Sequence, residues 1–412
     1  MLSGKDPRGT CDLKTAIIIL AIGLALLLWV SCDMALGRRK QLSKVQRKNY
    51  PVRQSRIDLI TAGPDLFEKL FLDIKHAKKH IHILFYIVKN DKISGEFLSL
   101  LKKKAEEGVE VRLLLDWVGS LRVKRKLITG LKEAGVRFAF CHVPKLPYLF
   151  YSSQSRNHRK ITVIDGSIGY LGGYNIGKEY VNLDSKLCPW RDYHLRMTGE
   201  GVNDLQSEFL CDWRDASGTD LLRDAAYFPR LPQEGLRHQH IPSEAGYLEE
   251  TFLAIIRNSR RKIIIGTPYF IPSPALFQEL RRALDRGVRL SIIVPSKTDH
   301  PLVKEASYPY LRVLLKEGAR IYQYMNGFYH AKILLSDDTV CDIGTANFDK
   351  RSLYLNHELN CYIYDKAFIQ KAEKVLEQDM KDSKLLMLKN ISGFNAIRWL
   401  REGVAKSVSY FL

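Results

Sequence analysis

NHRKITVID, residues 157–165, and YHAKILLSD, residues 329–337, decide how this chain is read. In each, a His and a Lys stand two apart at the head of an apolar run: His158 with Lys160, and His330 with Lys332. Side chains alternate along a strand, so each pair shares one face. Cation-capable groups on an otherwise buried strand are costly unless an anion sits opposite them. An Asp follows each Lys by five residues (Asp165, Asp337), and Gly172 and Gly344 each lie 14 residues after their His. Asn175 and Asn347 each lie 17 after. The pattern predicts a hairpin in each copy: strand 158–164, a turn at 165–167 and strand 168–171, with the second turn at 336–338. Each Asp falls in the turn, at opposite parity to its His, and reads as a support rather than a group touching substrate. Each Asn, beside a Gly, can offer an amide donor near its His–Lys pair.

Working outward, the rest of the chain is also written twice. FLDIKHAKKHIHIL (71–84) matches FLAIIRNSRRKIII (252–265), and EEGVEVRLLLD (106–116) matches DRGVRLSIIVP (285–295). LKEAGVRFAF (131–140) matches LKEGARIYQY (315–324). Helices alternating with short buried strands predict α/β layers, here as two copies. If the copies pair about a pseudo-twofold, two His, two Lys and two Asn converge on one site. That set suits a phosphodiester. One imidazole can attack phosphorus while the other protonates the leaving oxygen, and lysines and amides can stabilise the phosphoryl charge without a metal.

The 412 residues carry a formal net charge of +19, which implies a polyanionic partner, either nucleic acid or an acidic membrane. Residues 15–32, TAIIILAIGLALLLWVSC, contain no charge and as a helix would span about 27 Å, close to a bilayer core. A cleaved signal peptide has a shorter apolar core and a small-residue cut site, so the segment reads as an uncleaved anchor. Eight basic residues and no acid follow between Arg38 and Arg56. That bias predicts a single-pass protein of the cell membrane with everything after the anchor in the cytoplasm, the basic cluster lying against anionic headgroups. Seven cysteines without C-x-x-C spacing suit a reducing compartment. There is no H-E-x-x-H; His238 and His240 lie in a polar, Pro-flanked stretch that reads as solvated, and nothing asks for a metal or other cofactor.

HRKITVID with GGYN, and HAKILLSD with GTAN, resemble the paired HKD motifs of the phospholipase D superfamily. WRDYHLRMTG, TPYFIPSPAL, GVRLSIIVPSKTD and FDKRSLYLNHE are similar to bacterial cardiolipin synthases, over roughly residues 56–380. The resemblance implies an α/β fold of two pseudo-symmetric phospholipase D-type domains, mixed sheets flanked by helices, with the active site between them. It implies a covalent phosphohistidine, and transfer of a phosphatidyl group from one phosphatidylglycerol to another with release of glycerol. His158, Lys160, Asp165, His330, Lys332 and Asp337 are then the candidate catalytic set, and Asn175 and Asn347 join the lysines in binding substrate. In this family an acidic residue downstream of each motif orients a histidine. Glu358 fills that place for the second motif, and Asp192 is the candidate for the first. Thr345 stands where many relatives have Ser, and one apolar segment is found where two are usual. The partners implied are anionic phospholipid and the membrane surface, not nucleic acid. The oligomeric state is left open, and a homo-oligomer is compatible with it. A phospholipase D-type hydrolase is the alternative activity.

The resulting map is a lead (1–14), a transmembrane helix (15–33), a basic linker (34–57), a first domain (58–217), a linker (218–242), a second domain (243–380) and a C-terminal amphipathic segment (381–412). The first copy carries eleven extra residues before its His, including KLPYLFYSS (145–153), an apolar loop suited to lipid or to packing between the domains. At the C-terminus, Phe394, Ile397, Leu400, Val404, Val408 and Phe411 recur at helical spacing. This helix would lie at the membrane interface or dock on the catalytic core.

Overall fold

Strands such as EVRLLLD and RLSIIVP are buried on both faces over most of their length, as expected where helices cover a sheet from each side. The computed structural model describes residues 7–45, 47–393 and 395–412, with side chains from residue 14 onward. In it, the runs His80–Phe85 and Glu110–Asp116 pair in parallel, and so do Lys262–Gly266 and Arg289–Pro295. Each half has the same strand order. The first runs Arg53–Ala62, Trp190–Gly199, Ile168–Gly172, Ile161–Ile164, His80–Phe85, Glu110–Asp116, Arg137–Cys141. The second runs Leu236–Glu244, His357–Ile363, Val340–Gly344, Ile333–Ser336, Lys262–Gly266, Arg289–Pro295, Arg320–Tyr324, with Ser383–Leu385 added at its edge. The duplication in the sequence is therefore a duplication of sheet topology. The halves join edge to edge, where Arg53, Gln54 and Ser55 pair antiparallel with His238, Arg237 and Leu236.

That junction corrects the reading of residues 218–242 as a linker. A strand begins at Leu236, and His238 and His240 are fully buried rather than solvated. Their strand alternates, turning His238 and His240 inward beneath helix Gly201–Ser217. Polar composition masked the strand; Nδ1 of His238 lies 3.2 Å from the Leu236 carbonyl, while its Nε2 and both ring nitrogens of His240 are buried without a hydrogen-bond partner in the chain.

The N-terminal helix runs unbroken from Pro7 to Leu42, 36 residues or about 54 Å, well past the apolar stretch. Consecutive residues Ile17, Ile18, Ile19 and Leu20 are all exposed, so no face of this segment packs on the domains. Its length and composition suit a membrane span. Residues 1–6 of the lead lie outside the described residues. Beyond the apolar stretch the helix docks on both domains. The Asp33 carboxylate accepts the Tyr151 N–H at 2.7 Å, and Gly37 lets Tyr151 pack directly on the helix backbone. Arg38 lies over the Tyr354 ring at 4.9 Å, and Gln41 Nε2 lies 3.4 Å from Nε2 of His357.

The basic segment is consequently less free for headgroups than its charge suggests. Lys48 pairs with Glu208 and Glu244 at 3.3 and 3.2 Å, Arg53 with Asp204 at 2.8 Å, and Arg47 with Glu250 at 3.4 Å. The 145–153 loop divides its apolar residues. Leu149–Gln154 is a helix with Tyr151 buried, Phe150 packs on Phe411 at 5.8 Å, and Leu146 stays 78% exposed. At the C-terminus, helix Ala396–Val408 docks through Ala405 and through Glu402, which pairs with Arg312. The first part of its apolar stripe points away, with Ile397 and Leu400 70% and 62% exposed and Trp399 beside them 74% exposed, while Phe411 at the far end packs on Phe150. Phe394 of that stripe lies outside the described residues.

Candidate active site

Each His–Lys pair sits in the residues that lead into a strand, not in the strand itself. The first motif's strand is Ile161–Ile164, not 158–164, and the second's is Ile333–Ser336. Upstream of each strand the chain leaves its own sheet to bond with the opposite domain. Asn157 bridges His357, and the His158 N–H donates to the His357 carbonyl at 2.9 Å. Symmetrically, Phe328 and Tyr329 pair with Trp190 and Arg191, and the His330 N–H donates to the Arg191 carbonyl at 2.7 Å. These crossings draw both motifs to the seam between the domains. All four side chains are buried there.

The carboxylates are exchanged between the motifs. Nδ1 of His158 lies 2.9 Å from Glu358, which follows the second motif in the chain, and Nδ1 of His330 lies 2.6 Å from Asp192, which follows the first. Chain order therefore does not show which histidine each acid serves; the crossing strands do. A carboxylate only accepts, so each Nδ1 carries the proton and each Nε2 the lone pair. Burial lowers both imidazoles to about 4, against the pull of those carboxylates, so both are neutral near pH 7. Burial pushes the two carboxyls up, but His158 and Lys160 outweigh it at Glu358, and Lys332 and His330 at Asp192. Both stay ionised below the usual carboxylate range.

The lysines are held alike. Lys160 donates to the carbonyl of His158 at 2.6 Å, and Lys332 donates to that of His330 and lies 3.4 Å from Asp192. Burial lowers Lys160 to about 7 and lowers Lys332 in the same direction. A bound anion would restore the charge that burial disfavours. Neither motif Asp reaches its histidine. Asp165 accepts from the backbone N–H groups of Lys78, Lys79 and His80 at 2.9, 2.7 and 3.0 Å, and Asp337 from those of Arg260, Arg261 and Lys262, each at 2.9 Å. Each staples its hairpin turn to the start of the neighbouring strand. Both hold a φ of +52°, a backbone region where Asp is tolerated better than most residues.

Asn175 is committed to the fold: its oxygen accepts from the Ile87 N–H at 3.1 Å and its amide lies 3.2 Å from the Tyr180 hydroxyl. Asn347 is buried, with its side-chain oxygen unpartnered within the chain. Residues beyond the motif His, Lys and Asp also hold the site. Thr345 donates to Glu358 at 2.6 Å, Ser352 at 2.9 Å and Asn356 at 3.2 Å, so three donors hold the carboxylate that orients His158. Arg159, between the motif His and Lys, turns the other way, donates to the Glu358 carbonyl at 3.1 Å and pairs with Asp212 and Glu208 at 3.0 and 2.9 Å. Tyr86 stacks edge-on against His158 at 5.1 Å. Trp190, Phe328 and Tyr269 surround His330 at 4.9, 5.7 and 6.2 Å. A metal-compatible trio, His238, His240 and Cys361, lies with its donor atoms within 4.8 Å of one another. Cys361 has opposite strand parity to Glu358, which puts the trio on the other face of the sheet from the histidines.

Comparison with known proteins follows the same lines. Residues 70–191 and 252–380 match a family model described as the cardiolipin synthase, phospholipase D-like domain. The chain is 42% identical over 400 residues to a minor cardiolipin synthase, ClsB, of Bacillus subtilis, covering 97% of this chain and 100% of that one. It is 39% identical over 330 residues to the major cardiolipin synthase, ClsA, of the same organism, covering 79% and 68%. Among solved structures, the phosphatidylserine synthase of Haemophilus influenzae superposes with a TM-score of 0.70 at 16% identity, over 91% of this chain and 100% of that one, a likeness of fold. With two phospholipase D-like domains meeting at paired His–Lys motifs, and relatives of this similarity over most of its length, the chain belongs to the cardiolipin synthase family of phospholipid-transferring phospholipase D enzymes.

Proposed function

We propose that the enzyme makes cardiolipin from two molecules of phosphatidylglycerol through a phosphatidyl-histidine. The observation that carries this reading is the pair of neutral imidazoles, each held at Nδ1 by a carboxylate from the opposite domain. A phosphodiester binding at the seam is countered by Lys160 and Lys332, and proton uptake by one imidazole accompanies it. Nε2 of the other histidine attacks phosphorus. The bond from phosphorus to the headgroup glycerol breaks, and the protonated imidazole gives its proton to the departing oxygen. In the second half that imidazole takes a proton from the hydroxyl of the second phosphatidylglycerol. The hydroxyl oxygen attacks phosphorus, the N–P bond breaks and cardiolipin leaves. Asp165 and Asp337 act through the hairpins they staple, and Asn175 through the packing it fixes.

The N-terminal helix is the membrane anchor in this reading, and both domains lie on the cytoplasmic side, as the basic residues after the helix favour. Purified full-length protein in phosphatidylglycerol vesicles is expected to form cardiolipin and free glycerol in equal amounts by mass spectrometry. Phosphatidic acid as the sole product would replace this reading with hydrolysis. His158→Ala and His330→Ala are each expected to lower the rate by roughly 10³-fold, within the range for loss of a catalytic proton-transfer group. Near-normal turnover in either would rule out a shared site.

A further inference from the structure

The two histidines have unlike surroundings, although the halves that carry them are alike. Beside His158 stands Tyr86, and the charges that reach Tyr86 include Arg156 and Arg351 as well as Asp116. Beside His330 stands Tyr269, whose hydroxyl donates to Asp299 Oδ2 at 2.6 Å. The other oxygen of Asp299, Oδ1, is buried with no hydrogen-bond partner in the chain. His300 lies 3.7 Å from Oδ2, and the Asp299 charge reaches both His330 and Lys332. A buried carboxylate oxygen without a donor is costly, more so beside a site meant for an anion. Such a group disfavours a second phosphate next to it and favours a neutral hydroxyl donor.

Resting on the transfer reading above, we propose that Asp299, held by Tyr269, binds the secondary hydroxyl of the acceptor's glycerol headgroup and so makes the enzyme choose a lipid diol over water. The acceptor has two adjacent hydroxyls. The terminal one must attack phosphorus, breaking the N–P bond and passing its proton to the free imidazole. The secondary one remains, and donating it to Asp299 Oδ1 would fix the terminal oxygen beside His330. Water has no second hydroxyl on a carbon chain to place there. The subsite therefore acts on acceptor selection and leaves formation of the phosphatidyl-histidine to the two motifs. It also lies in the aromatic surroundings of His330, where Trp190 and Phe328 can cover the carbon backbone of the glycerol.

The test uses full-length protein in phosphatidylglycerol vesicles, with Asp299→Asn, which keeps the shape, and Tyr269→Phe, which removes only the hydroxyl. The expected result is a ratio of cardiolipin to phosphatidic acid lowered roughly 10-fold in Asp299→Asn, about the worth of one hydrogen bond to a charged group. Total consumption of phosphatidylglycerol should fall much less, and Tyr269→Phe should move the ratio in the same direction by a smaller factor. A parallel competition offers 1,2-propanediol and 1-propanol as acceptors. Wild type should prefer the diol, and Asp299→Asn should lose that preference. An unchanged product ratio, or both products falling together with the diol preference intact, would overturn the proposal. Wild-type protein that exchanges alcohols onto phospholipid yet forms no cardiolipin would refute the function proposed above. The diol competition would still decide on Asp299.

Discussion

At the scale of single residues, the site works by burying groups whose charge is then set by their neighbours. His158 and His330, lowered by burial to about 4, are neutral over the working range, and Lys160, lowered to about 7, stands near its own midpoint. A lysine is charged below its pKa, so its attraction for a phosphodiester is present below pH 7 and fades above it. An imidazole is nucleophilic above its pKa, so attack fails below pH 4. The value of kcat/KM for phosphatidylglycerol reports the free enzyme, in which one imidazole has still to take up a proton. It is therefore expected to peak near pH 4, to decline above it, and to decline more steeply above about pH 7 where Lys160 also loses its charge. A pH–rate series on vesicles checks this. An alkaline limb that does not steepen between pH 7 and 9 would show that Lys160 keeps its proton without substrate.

At the scale of elements, the N-terminal helix, the anchor in the proposed reading, is more than a tether. Its last turns carry Asp33, Gly37 and Gln41 onto Tyr151 and His357, and His357 itself accepts the His158 N–H. A Cβ at Gly37 would stand 2.6 Å from the Tyr151 Cβ. Gly37→Val must then push the Leu149–Gln154 helix, which leads directly into the first motif, away from the anchor. Overpacking of this kind costs about 1–3 kcal/mol locally. The variant should still fractionate with membranes while its rate falls several-fold. Full activity would mean that the docked end of the helix and the motif move independently. The KLPYLFYSS loop shows why an apolar run alone could not settle its role: Tyr151 and Phe150 pack inward, while Leu146 and Leu149 face out.

At the scale of the whole molecule, the C-terminal helix leaves Ile397, Trp399 and Leu400 exposed while holding on through Ala405 and Glu402. Tryptophan and long apolar side chains beside Arg398 and Arg401 suit the boundary between headgroups and acyl chains. Replacing Trp399 and Leu400 together with Ser should weaken binding to anionic vesicles by about 10-fold or more, since each buried side chain of this size is worth roughly 1.5–3 kcal/mol. The anchor would mask that loss, so flotation should compare protein lacking residues 1–32 with and without the two changes. Equal flotation would place this stripe against another partner or none.

Much of this was legible in one dimension. Two copies of H-x-K-x-x-x-x-D at matched distances from Gly and Asn mark the paired candidate site. The repeats around them specify two α/β halves, because period-2 and period-3.6 patterns are local properties of the chain. What the chain order could not carry was everything that crosses the seam. Glu358 and Asp192 serve each other's histidines because the segments ahead of both motif strands bond to the opposite domain. His238 and His240 are buried because their polar strand joins the two half-sheets, although composition alone reads that stretch as solvated. Both facts depend on contacts between residues up to 200 positions apart, such as His158 and Glu358. No local pattern encodes such pairs; they are decided when two domains, each folded by its own hydrophobic periodicity, bury their polar edges against one another.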